Sequence, residues 1–143
     1  MPKMGKRTAT CACGRVTLTV ENEPGMIAAC HCDFCQKRTG SVFQVGAYFG
    51  PDEPFEIIGE TRIFNGMEMD GVPSVRGASV TYYFCPTCGS TVYWEETGSH
   101  RAVPVGNFVD ADFPAPTMEV HTADRHRWVP EIPGALQFPA EFG

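Results

Sequence analysis

Residues 78–96 read ASVTYYFCPTCGSTVYWEE. Val80, Tyr82 and Phe84 alternate before the C-x-x-C, as do Val92 and Trp94 after it, which is the period of a strand with one buried face. The cysteine pair therefore sits in a turn joining two strands. Pro86 sets that turn, and Gly89 lets backbone N–H groups approach sulfur. A closed tetrahedral zinc site takes four ligands, so Cys85 and Cys88 need two partners from elsewhere in the chain.

There are seven cysteines in 143 residues. An odd number in tight C-x-C and C-x-x-C spacings, in a chain expected to reside in the reducing cytoplasm, argues for metal rather than a disulfide framework. CACG at 11–14 supplies the missing partners. Cys11 and Cys13 are two positions apart, so on an extended segment both thiols point to the same side. Joined to Cys85 and Cys88, they make a closed four-thiolate zinc site that staples the N-terminal strand to the middle of the sheet.

Cys30, Cys32 and Cys35 remain, in CHCDFCQKRTG at 30–40. Cys30 and Cys32 share a face, and Cys35 swings back if the chain turns after Cys32, so the three reach one metal unaided. His31, between two ligands, faces the opposite way on an extended stretch. It reads as a hydrogen-bonded structural histidine, with service as a fourth ligand as the alternative. Joining the trio to Cys11 or Cys13 instead leaves the 85–88 pair incomplete. The expectation is two zinc ions per chain, one with an open position. Three thiolates make such a zinc a poor Lewis acid for water, whereas a coordinated thiol is deprotonated outright. The open site favours thiol chemistry over hydrolysis.

Composition agrees with a single domain over 1–143, with its core at about 8–130. Fifteen Gly and twelve Pro point to turns and short strands rather than long helices. A formal net charge of −6 disfavours nucleic acid and anionic membrane as partners. No apolar run approaches spanning length, and no signal-peptide core precedes Cys11. Lys3, Lys6 and Arg7 read as a solvated leader.

The fold class is mainly β. Further strands are expected over 14–21, 26–30, 41–49, 101–105 and 117–121. FEIIG and TRIFN, within 55–65, are expected to form a hairpin about Gly59-Glu60. Residues 65–77 read as a surface loop, with a lid as the alternative. A helical turn is expected at Phe34–Thr39.

CACG, CHCDFCQKRTGS and FCPTCGSTVYW, with VPVGNFVDADFPAP and DRHRW beyond them, resemble the glutathione-dependent formaldehyde-activating enzyme family, whose zinc-stapled β fold is called Mss4-like. The resemblance runs from about Cys11 to Trp128. It implies a structural zinc on Cys11, Cys13, Cys85 and Cys88 and a catalytic zinc on Cys30, Cys32 and Cys35. It also implies a carbon–sulfur lyase-type activity that joins glutathione to formaldehyde as S-hydroxymethylglutathione.

Glutathione carries two carboxylates, so a net-acidic protein needs local cations to hold it. Lys37 and Arg38 are the nearest in sequence to the open site, with Arg76 and Arg101 as further candidates; each also reads as a solvated surface cation. His126 and Trp128 share a face if extended, either closing over the site or, for Trp128, packing in the core. Tyr48, Tyr82 and Tyr83 read as sheet residues. A non-catalytic zinc-stabilised binding module, or a thiol carrier, is the competing reading. A methionine sulfoxide reductase of this fold needs a reactive cysteine apart from its metal ligands, and none follows Cys88.

Overall fold

The computed structural model describes residues 6–65 and 80–140. Eleven strands and one α-helix follow in the order β1 (Arg7–Thr10), β2 (Thr17–Val20), β3 (Met26–Cys30), α1 (Asp33–Thr39), β4 (Gln44–Phe49), β5 (Phe55–Ile58), β6 (Arg62–Asn65), β7 (Val80–Phe84), β8 (Thr91–Glu96), β9 (His100–Pro104), β10 (Met118–Val120) and β11 (Leu136–Gln137). The protein is mainly β, as its alternating segments predict. No helix among the described residues is long and apolar enough to cross a membrane.

Two sheets form, a three-stranded one in the order β1-β2-β5 and an eight-stranded one in the order β11-β10-β3-β4-β9-β8-β7-β6. They pack through one continuous core. Ala9, Val16, Leu18 and Val20 from the small sheet meet Ala47, Phe49, Tyr93 and Val103 from the large one, with Phe55 and Ile57 of β5 closing the edge. Alternation sorts the side chains: Val16, Leu18 and Val20 are buried while Thr17 and Thr19 are half-exposed. Each fully buried aliphatic here contributes about 1.5–3 kcal/mol.

The opposite face of the large sheet carries a second row. Met26 pairs with Tyr48, Tyr48 with Ala102, Ala102 with Trp94, Trp94 with Tyr82 and Tyr82 with Phe64 across consecutive strands. One small residue, Ala102, stands among the large aromatics there, and Phe34 of α1 packs against the row beside a hollow.

The structure corrects several expectations. FEIIG and TRIFN do not pair: β5 pairs with β2 in the small sheet, and β6 pairs with β7 in the large one. Gly59, with φ 114°, crosses between the sheets so close to the chain that a Cβ would lie 2.3 Å from the Arg15 carbonyl oxygen. Arg7 is no solvated leader. It lies in β1, its guanidinium forking onto both Glu23 oxygens at 2.9 Å and reaching Asp110 at 3.0 Å. Lys6 pairs with Glu21 at 3.7 Å. Trp128 is not core but 71% exposed. The helical turn is a full α1, with Cys32 as N-cap and Gly40 as C-cap. Lys3, Arg76 and, from residue 66, the loop expected at 65–77 lie outside the described residues.

Candidate metal centres

The thiols of Cys11, Cys13, Cys85 and Cys88 lie within 4.8 Å of one another. Two turns of one design bring them together. In each, a glycine with φ 80° (Gly14 and Gly89) returns its N–H to the carbonyl of the first cysteine, at 3.1 Å on Cys11 and 2.8 Å on Cys85. In each, a backbone N–H also points at the first sulfur, Val16 at Cys11 (3.3 Å) and Thr87 at Cys85 (3.4 Å). Ser90 ties the turns together, accepting from the Ala12 N–H at 3.0 Å. Cys11 and Cys13 therefore converge through a turn, not through the two-residue period of an extended strand, because β1 ends at Thr10.

Cys30, Cys32 and Cys35 form a second group, also within 4.8 Å. Cys30 ends β3, Cys32 caps α1, and Cys35 lies in its first turn, donating its N–H to the Cys32 sulfur at 3.2 Å. Among the described residues no histidine or carboxylate joins either group. His31 turns the other way, as an alternating stretch requires. Its Nε2 lies 2.7 Å from Glu119 Oε1, and its ring stacks on Phe43 with centroids 5.3 Å apart.

The donor chemistry fits a soft cation. The hydrogen bond with Cys32, helped by burial and opposed by the one with Cys35, pushes the Cys30 thiol up to about 11. Hydrogen bonds to Cys30 and Cys32, followed by burial, push Cys35 higher still. At the other cluster, hydrogen bonds from Ser90 draw Cys88 down to about 5. Cys13, although the Arg15 N–H favours its thiolate, is pushed up to about 11 by burial and its three thiol neighbours. Clustered thiols cannot all ionise together without a cation between them. All-sulfur donors at this spacing suit zinc-type ions over calcium or magnesium.

The two clusters differ in what lies beside them. Cys30 and Cys35 form part of the wall of a cleft of about 270 Å³ in the hollow face of the large sheet. Phe34, Tyr48, Tyr82 and Trp94 line it, and Glu96, His100 and His121 are the other titratable residues of its lining outside the thiols. Burial, ahead of the nearby thiols, pushes the Tyr82 phenol up to about 12 and Tyr48 beyond that, so both stay neutral. Tyr48 and Tyr82 are thus sheet residues, as their alternation predicts, and also cleft walls.

The basic residues singled out in the sequence point elsewhere. Lys37 pairs in solvent with Asp33 at 2.5 Å. Arg38 lies against the Tyr82 and Trp94 rings, 4.4 and 5.4 Å from their centroids, and donates to Thr91 Oγ1 at 2.9 Å. Arg101 covers the Phe55 ring at 3.9 Å and donates to the Glu53 carbonyl. None of the three lines the cleft. His126 Nε2 donates to Gln36 Oε1 at 2.8 Å, beside Trp128 at 5.9 Å. Sequence reasoning passed over Glu119 and His121; both fall inside the stretch TMEVH, whose pattern marks a strand but not what the strand faces.

A crystal structure of a Rhodobacter sphaeroides protein superposes on this chain with a TM-score of 0.53. It is 19% identical, covering 75% of this chain and 91% of its own, and the likeness is one of fold. No curated protein matches the chain. The sequence profile of the glutathione-dependent formaldehyde-activating enzyme family matches residues 6–124, which include both thiol clusters and the elements that form the cleft, and the chain belongs to that family.

Proposed function

We propose that the protein is a zinc-dependent enzyme of carbon–sulfur lyase type, adding or removing an aldehyde such as formaldehyde at the thiol of glutathione or a similar carrier. One observation carries the reading: the three-thiol cluster brings only three described ligands and lies on the wall of a largely apolar cleft, while the other cluster brings four. Family membership supports it.

Cys11, Cys13, Cys85 and Cys88 hold a structural zinc that joins the end of β1 to the β7–β8 turn. Cys30, Cys32 and Cys35 hold the catalytic one. Zinc bound there supplies a thiophilic centre that keeps an incoming thiol as its thiolate. The Cys35 N–H on the Cys32 sulfur tempers the negative charge of the trio. Phe34, Tyr48, Tyr82 and Trp94 shield the cleft from water and receive the aldehyde and the carbon skeleton of the thiol. In the forward direction a sulfur–carbon bond forms, the carbonyl π pair moves to oxygen, and the oxygen takes up the proton the thiol gave. The reverse reaction breaks the same bond. The reducing cytoplasm suits thiol substrates of this kind. A binding module closed by four protein ligands fits less well, because His31 is committed to Glu119.

The test combines metal content with turnover. Wild type should carry two zinc ions per chain and Cys32→Ser one, and wild type alone should accelerate exchange between formaldehyde and its thiol adducts, followed by NMR with glutathione and with cysteamine. Serine is a good N-cap, so Cys32→Ser keeps the start of α1 while losing the ligand. One zinc in wild type, or acceleration that survives Cys32→Ser, overturns the reading.

A further inference from the structure

His121 is the one residue other than glycine with positive φ among the described residues, at φ 54° and ψ 40°. Histidine tolerates this left-handed region better than most side chains, yet such conformations concentrate where a site demands them. The demand is visible here. In β10, Met118 and Val120 line the cleft, and strand alternation would send residue 121 to the opposite face with Glu119. The left-handed turn brings the imidazole back to the cleft face beside Val120.

The position is held from both sides. β10 runs parallel to β3 with Val120 opposite Cys30, and the His31 N–H donates to the Val120 carbonyl at 3.1 Å. The His121 N–H donates to the Ala140 carbonyl at 2.9 Å, and its own carbonyl accepts from the Asp124 N–H at 3.0 Å. Its side chain is only 6% exposed, yet the ring has no hydrogen-bond or ion-pair partner among the described residues. A largely covered imidazole with no partner among the described residues, on the wall that also carries Cys30 and Cys35, is placed to meet a ligand's polar atom.

We propose that His121 is the proton-transfer residue of this site. The inference rests on the thiol–aldehyde reading above. As the sulfur–carbon bond forms, the ring nitrogen carries the proton released by the thiol to the carbonyl oxygen, giving the neutral hydroxyl of the adduct. In reverse it takes that hydroxyl proton as the carbon–sulfur bond breaks and the carbonyl re-forms. No other reactant is needed. A positioned general acid–base group contributes about 10²–10⁴-fold.

The experiment uses the zinc-loaded protein with labelled formaldehyde and either glutathione or cysteamine. His121→Gln and His121→Gly should keep their zinc and lose about 10²-fold or more in exchange rate. Added imidazole should restore His121→Gly but not His121→Gln. Glycine also accepts the left-handed backbone, so folding is favoured in that variant. Apart from turnover, the His121 ring resonances of wild type, sorted from those of the other three histidines, should shift when the adduct is added. Exchange kept within threefold in both variants, loss without imidazole rescue, or ring signals that ignore the adduct each overturns the assignment and leaves the thiol–aldehyde reading standing. Failure of wild type to accelerate exchange with either thiol overturns both.

Discussion

The imidazole of His31 and the carboxylate of Glu119 lie 2.7 Å apart, each side chain 1% exposed. A carboxylate only accepts, so His31 Nε2 is the donor. The other Glu119 oxygen accepts from the Ile132 N–H and from Gln137 Nε2, both at 2.8 Å, with Arg125 at 3.3 Å. One buried carboxylate thus ties the loop between Cys30 and Cys32 to the C-terminal segment. Removing one partner of a buried charged pair costs about 3–5 kcal/mol. Glu119→Ala should lower the unfolding free energy by that order in urea titration, and Glu119→Gln by less, since the amide keeps one acceptor. A loss under 1 kcal/mol for the alanine variant would show the network to be ornamental.

The same carboxylate should give a pH signature. Burial works to raise its pKa, but the hydrogen bonds from Gln137, Ile132 and His31 and the charge of Arg125 together hold it down at about 2, against an ordinary 4.5. With the folded value below the unfolded one, the contribution is fully present above pH 4.5 and is lost as pH falls through 2. It amounts to roughly 3 kcal/mol. The stability gap between wild type and Glu119→Gln should narrow over that window. A gap that stays constant from pH 6 to pH 2 refutes the assignment.

Much of this architecture is legible in the residues. Val16, Leu18 and Val20 announce a strand by period two, and the cysteine spacings divide into four and three because each turn carries its own glycine. Pairing is less legible. Gly59-Glu60 has the composition of a hairpin turn, and only the close approach to Arg15, which depends on where β2 lies, sends β5 and β6 to different sheets. β1 escapes notice because RTAT offers a single apolar residue, Ala9. Glu119 and His121 are invisible for a related reason. Their roles come from the parallel pairing of β10 with β3, a contact between residues some ninety positions apart that local pattern does not encode.

Gly46 makes room for the cleft's central aromatic. A Cβ on it would lie 2.8 Å from Trp94 Cη2 and 2.9 Å from Cζ2. The indole cannot step aside, because Tyr48 and Tyr82 flank it with centroids 6.0 Å away and Arg38 lies over it. Overpacking of this kind costs about 1–3 kcal/mol. Gly46→Ala should show that loss in thermal unfolding and a changed Trp94 emission in a Trp128→Phe background, where the exposed second indole is silent. Unchanged emission and stability would mean that the hollow yields freely.

The two thiol clusters should differ in what their loss does to the fold. Cys11 and Cys85 are buried among the residues that join the two sheets, at 3% and 0% exposure. Cys32 is as fully buried, but the trio lies outside that core, at the end of β3 and the start of α1. Structural zinc supplies folding free energy outright. Cys11→Ser should therefore lower the melting temperature far more than Cys32→Ser at equal zinc supply, read by circular dichroism. Equal shifts would remove the distinction between a staple and a working site.

The cleft also bears on which thiol is used. Among its described lining residues the one carboxylate is Glu96 and none is a lysine or arginine; burial holds the His100 imidazole below its ordinary value although Glu96 is near. The two carboxylates of glutathione find no described cation in the lining, Arg38 being stacked against the Tyr82 and Trp94 rings and bonded to Thr91, whereas an ammonium would meet Glu96. At the effective dielectric of a half-open site, one such charge contact is worth ~1–4 kcal/mol, so a preference of about tenfold for an amine-bearing thiol is a conservative expectation. Cysteamine should outrun glutathione by that factor in kcat/KM. Glu96→Gln should shrink the ratio toward unity, and high salt should do the same in wild type. If glutathione is the faster carrier and Glu96→Gln leaves the ratio untouched, the charge of the cleft does not select the thiol, and its shape must.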